Sequence, residues 1–236
     1  MINNIKFDGG RFISRGRYQL VFIPDEDIAG DYVARWRFDD GEGTTAAEDV
    51  LNLDGTLVGT PTWVSGNIGS NAIDFDGTDD VVTVPNNDVL DISSGGFAVS
   101  VWFNHDTNTG HFGIIHNHSG SPPSDGWEID LNNGNPRFFF DGNNLELERG
   151  SSLTINQWYH LVINYDEVNY KMYIDGSEVD TALASVGSPE FGSAGISIGA
   201  RFGDRAFFNG TIDDVRIYNR ALTTDEISGL HDEGAA

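Results

Sequence analysis

The chain has 236 residues and no cysteine, which excludes a disulfide scaffold and a thiolate metal site. A chain of this length buries roughly 70% of the surface its unfolded form exposes, so one large domain can hold its core without either. Its 13 basic against 37 acidic residues, a net charge of −24, repel a phosphate backbone and set nucleic acid aside as a partner.

Lysine occurs only at positions 6 and 171, and aspartate far outnumbers glutamate. That profile resembles proteins at work in very high salt, where repulsion between carboxylates is screened, and an ordinary acidic extracellular protein is the alternative. The first twenty residues alternate polar and apolar and lack the hydrophobic stretch of a signal peptide. A chain without a signal peptide that works outside the cell would be a mature or truncated piece, a protein on a non-Sec route, or a virion protein assembled in the cytoplasm. The longest apolar run, Phe97 to Phe103, is too short to cross a bilayer, so no membrane insertion is expected.

Residues 1–24 carry Lys6, Arg11, Arg15 and Arg17 against Asp8 alone, the reverse of the rest of the chain. The turn-rich Pro24 to Asp31 stretch then reads as a linker. Residues 1–30 are therefore an arm that either attaches the domain to a virion or appendage protein or adds an edge strand to it.

From residue 31 to 236 the dominant signal is period-two alternation in short segments. YVARWRF places Tyr32, Ala34, Trp36 and Phe38 on one face, and FAVSVWF does the same with Phe97, Val99, Val101 and Phe103. Further strands are expected at Ala72, Val81, Trp127, Arg137, Trp158, Tyr170, Ile196 and Asp214. Asp-Gly steps at Asp40, Asp54, Asp76, Asp125, Asp141 and Asp175 punctuate them, and Asp175-Gly176 reads as a hairpin. Thr223 and Glu226 form a capping box that opens a single short helix reaching about Leu230. The class is all-β, an antiparallel sandwich with a C-terminal helix and an N-terminal arm.

His111, His116 and His118 have a spacing that could hold zinc, but no acidic partner is adjacent in sequence. The Gly- and Pro-punctuated stretch from His105 to Trp127 has the character of a recognition loop on a rigid scaffold. There Trp127 could stack on a sugar ring while Asn117, His118 and Asp125 exchange hydrogen bonds with it. The sequons at Asn117 and Asn209 point to an exposed, extracytoplasmic surface.

Several segments resemble the laminin G-like jelly rolls, a branch of the concanavalin A-like lectin/glucanase superfamily that is also similar to the pentraxins. They are WRFDDGEG from Trp36, the run from Gly55 to Pro85, FAVSVWF, the run from Trp158 to Val179, and the close from Phe208 to Gly234. The resemblance implies core roles for Trp36, Phe75, Trp102, Trp158, Tyr173 and Tyr218. It also implies a structural calcium ion between an early acidic loop, Asp49 with Asn52 or Asp54, and Asp213 of the closing strand.

Glucanases on this fold carry a strand reading Glu-Ile-Asp followed by a second Glu. Glu128 and Asp130 match the first two positions, but Asn132 or Asn133 stands where the acid/base carboxylate belongs. A retaining mechanism needs that second carboxylate, so no enzyme is expected. The resemblance implies instead a non-catalytic recognition module for a cell-surface glycan or glycoprotein, displayed on an extracellular or virion surface. A structural virion component and a glycan-cleaving enzyme are the alternatives.

Overall fold

The computed structural model describes residues 6–7, 10–15, 19–24, 31–90, 95–117, 126–140, 144–184, 195–201 and 206–235. In the arm, β1 (Lys6–Phe7), β2 (Gly10–Arg15) and β3 (Gln19–Pro24) form an antiparallel sheet of their own, with Phe12 opposite Phe22. The remaining strands, in chain order, are β4 (Tyr32–Trp36), β5 (Thr45–Ala46), β6 (Gly55–Val58), β7 (Thr62–Ser65), β8 (Asn71–Asp76), β9 (Val81–Val84), β10 (Phe97–His105), β11 (His111–Asn117), β12 (Trp127–Asn132), β13 (Asn135–Phe140), β14 (Asn144–Glu148), β15 (Trp158–Tyr165), β16 (Asn169–Ile174), β17 (Ser177–Leu183), β18 (Ile196–Ile198) and β19 (Asn209–Tyr218).

They make two eight-stranded antiparallel sheets packed as a sandwich. The first runs β17-β16-β15-β10-β19-β8-β7, with β4 also paired to β19, and the second runs β14-β13-β12-β11-β18-β9-β6-β5. Sequence alternation becomes burial in both. Phe97, Val99, Val101 and Phe103 of β10 face Trp127, Ile129, Phe138 and Phe140 across one core, which Trp36 and Phe75 join. Antiparallel sheets with one face on a core and one outside read this way because successive side chains point to opposite faces.

The hairpin at Asp175-Gly176 has positive φ at both residues, 50° and 72°, as its tight turn requires. Helix α1 (Thr224–Gly234) starts at the capping box: Thr223 accepts from the Glu226 amide and Glu226 accepts from the Thr223 amide. Its Ile227 and Leu230 cover the outer side of the first sheet together with Tyr32, Ala98, Val162, Tyr173 and Tyr218. Tyr32 thus leaves the face of Trp36, because a register shift between Ile217 and Tyr218 of β19 turns that end of β4. Trp102 lies under the same helix, stacked on His231 at 5.8 Å, while Trp158 is only half-buried. Among the described residues no helix is long and apolar enough to cross a membrane.

Candidate functional site

The outer face of the second sheet carries a cluster of charged side chains. In β12 the core takes Trp127, Ile129 and Leu131, so Glu128 and Asp130 fall on the opposite side. Across the ladder Asp130 lies between Arg137 of β13 and Gly113 of β11, and Glu128 lies between Phe139 and His116. Arg137 donates to Asp130 through Nε at 2.8 Å and Nη2 at 3.0 Å, and its guanidinium rests over the Phe139 ring at 4.8 Å. The imidazole of His111 meets the Asp130 Oδ2 atom at 2.5 Å.

Gly113 makes room for the last member. A Cβ there would stand 2.5 Å from the backbone of Ala200 and Arg201, so the chain leaving β18 can cross this point only over a glycine. The crossing brings Arg201 Nε to 2.7 Å from the Glu128 carboxylate.

The two carboxyls are driven apart. Burial, then the charge of Asp130, pushes the Glu128 carboxyl up to about 8, against the pull of Arg201. Burial would raise Asp130 as well, but hydrogen bonds from His111 and Arg137 outweigh it and hold that carboxyl below the usual range. At neutral pH the face therefore holds one protonated and one ionised carboxyl, each against an arginine. Ligand atoms of His111, Glu128 and Asp130 lie within 4.8 Å of one another, yet the two guanidiniums already supply the positive charge a cation would bring. Asn132, next on the same face of β12, places an amide where a third carboxylate would stand.

The residues expected to bind a sugar take other positions. Trp127 has no exposed surface and belongs to the core, so it packs rather than stacks on a ligand. Asn117 is equally buried and donates to the Gly195 carbonyl at 2.6 Å, which also closes its sequon to modification in the folded chain. His118 and Asp125 lie outside the described residues. The expected recognition loop is in part a strand, since β11 runs through His111–Asn117. The acidic partner that His111 lacks in sequence is Asp130, supplied across the ladder, while His116 sits opposite Glu128.

The expected calcium ligands do not gather. Asp49 is held by Arg37 Nε at 2.6 Å, Asp54 accepts from the Glu48 amide at 3.0 Å, and Asn52 serves as a left-handed turn residue with φ of 54°. Asp213 instead accepts from the amides of Asn67 and Ile68 at 2.8 and 2.9 Å. Among the described residues Asp49, Asp54 and Asp213 do not form a set of ligand atoms within mutual reach. The early loop wraps a protein carboxylate: Glu48 accepts from the amides of Arg35, Val50 and Leu51, so the loop turns N–H groups inward rather than the oxygens a cation would need. Among the described residues Asp49, Asn52, Asp54 and Asp213 do not fit a shared calcium ion.

The family Laminin_G_3, of the concanavalin A-like lectin/glucanases superfamily, matches residues 76–228, well over half of the chain. The chain belongs to this superfamily. No curated protein matches it in sequence. Among solved structures of the same jelly roll is domain 4 of AbnA, a GH43 extracellular arabinanase from Geobacillus stearothermophilus, in complex with arabinotriose. It is 22% identical with a TM-score of 0.68, over 85% of this chain and 98% of that one. The binding domain of botulinum neurotoxin DC, in complex with SialylT, is 17% identical with a TM-score of 0.64, over 88% of this chain and 52% of that one. Trypanosoma rangeli sialidase is 18% identical with a TM-score of 0.63, over 85% of this chain and 33% of that one. The chain thus spans about half of the neurotoxin domain and a third of the sialidase. At these identities the likeness to superfamily members is one of fold, and the site has to be read from this chain's own residues.

Proposed function

We propose that the chain is a non-catalytic glycan-recognition module, and that its ligand is a cell-surface glycan or glycoprotein engaged on the outer face of the second sheet. One observation carries the reading: a fork between Arg137 and Asp130 and a pair between Arg201 and Glu128 stand side by side on a rigid ladder, with His111 joined to the first. Polar and charged groups fixed by one another present hydrogen-bonding atoms at set positions and lose little freedom on binding a polyhydroxylated ligand. The amide at Asn132 supports a role without bond cleavage, because no third carboxylate faces the pair along β12. The arabinotriose and SialylT complexes of the fold neighbours support a sugar as the ligand class.

The test is a glycan array that includes arabino-oligosaccharides and sialylated glycans, followed by titration calorimetry of each hit against the wild type and Arg137→Met. Saturable binding that weakens at least tenfold in the variant is expected. An array on which no glycan is retained, with the protein shown to be folded, would overturn the proposal.

A further inference from the structure

On this face the carboxylates and the cations lie at different depths. The side chains of Glu128 and Asp130 are 1% and 0% exposed, whereas those of His111, Arg137 and Arg201 keep 32%, 14% and 18%. A ligand therefore meets a layer of nitrogens, chiefly guanidinium N–H donors, laid over acceptors it cannot reach. A guanidinium offers donors and no acceptor, and its strongest partner is an oxyanion with paired oxygens. Arg137 uses Nε and Nη2 on Asp130, and its Nη1 takes no partner among the described residues.

Resting on the glycan reading above, we infer that this site selects a sugar bearing a carboxylate, a uronic- or sialic-acid-type unit, whose oxygens are received by Arg137 and Arg201. The local charge agrees. With burial keeping the Glu128 carboxyl protonated up to about pH 8, two guanidiniums face one ionised carboxylate, a cationic spot on a chain of net charge −24. A divalent cation in the same place would have to displace both arginines, so the geometry favours an anion over a metal. The groups that face Glu128 are Asp130 on its own strand, His116 and His111 of β11, and Arg201. As Glu128 ionises above about pH 8 it adds a negative charge beneath the bound carboxylate, so affinity for the acidic sugar falls there.

Titration calorimetry on the full chain tests this with methyl glucuronide, methyl galacturonide and sialyllactose, each beside its own methyl ester, and with acetate and sulfate as free anions. The acid is expected to bind at least tenfold more tightly than its ester, and the gap to narrow as salt is raised. The preference is expected to disappear in Arg137→Met/Asp130→Asn, which leaves no unpaired buried charge, and to shrink in Arg201→Gln. Acid and ester binding alike would overturn this inference while leaving the glycan reading intact. Acetate or sulfate binding as tightly as the uronides would mark a plain anion site and also overturn it. No binding by any sugar, acid or ester, would sink both.

Discussion

Arg137 and Asp130 stand directly opposite each other on β13 and β12 and share two parallel hydrogen bonds, 2.8 and 3.0 Å long, with the carboxylate wholly buried. Removing one partner of such a pair is much costlier than removing both, because the survivor is left charged without compensation. Arg137→Met is expected to destabilise the domain by about 3 kcal/mol. Adding Asp130→Asn should recover most of that loss. Urea denaturation of the two variants decides it, and equal costs for both would show that the pairing contributes little.

The pH dependence of stability follows from carboxyls buried in protonated form. Glu128 keeps its proton to about pH 8 in the fold and releases it near 4.5 when unfolded; Asp213, raised by burial against the pull of the Ile68 and Asn67 amides, goes from 3.8 to about 7. Between the two values of each group the unfolded chain binds fewer protons than the folded one, so stability falls as pH rises through that window. Each group contributes a slope of about 1.4 kcal/mol per pH unit. His160, buried and lowered to about 3, acts oppositely: the unfolded chain takes up a proton below 6.5, so its contribution is lost only on the acid side. From pH 6.5 to 8 the carboxyls act without it. Melting temperature is expected to decline over that interval, and Glu128→Gln should flatten the decline. A wild type whose stability rises from pH 6.5 to 8 would contradict this.

The strands were legible because alternation is a local property, and the same pattern held the answer to a question it was not asked. Trp127 is in phase with Ile129 and Leu131, so a strand that buries those two must bury Trp127 with them, and its place in a polar stretch misleads. Alternation puts Glu128 and Asp130 on one face, and in the sequence they stood out only as a partial match to the glucanase strand. Their partners did not, because His111 reaches Asp130 from 19 residues away and Arg201 reaches Glu128 only through the crossing at Gly113. Such contacts depend on register, which turn lengths and bulges set and composition does not. The order of the early loop was not legible either, since the carboxylate that organises it is Glu48, on which the loop amides converge, rather than Asp49 or Asp54.

Metal removal should accordingly do little. With Asp49 tied to Arg37 and Glu48 saturated by amides, EDTA is expected to leave the melting temperature unchanged, and added calcium to raise it no more than the same ionic strength of sodium chloride. A specific stabilisation by calcium at constant ionic strength would show that ligands outside the described residues complete a site. Molar potassium chloride, by contrast, should raise the melting temperature, because it screens the repulsion of 37 acidic residues against 13 basic ones.

Gly113 is the position on which the geometry of Arg201 depends. Its amide donates to the Ala206 carbonyl at 2.8 Å, so the crossing chain is hydrogen-bonded to β11 as well as packed on it. A methyl group at this point has nowhere to go, since the atoms 2.5 Å away are backbone and cannot rotate aside. Gly113→Ala should therefore lift the crossing, cost about 2 kcal/mol, and move Arg201 off Glu128. The buried carboxyl would then lose its cation and become harder still to ionise, so the decline of stability with pH should extend above pH 8. A merely local loss of packing would lower stability equally at every pH. Melting curves of Gly113→Ala from pH 6.5 to 9, set beside those of the wild type, separate the two: a parallel offset would mean that the glycine does not position the arginine.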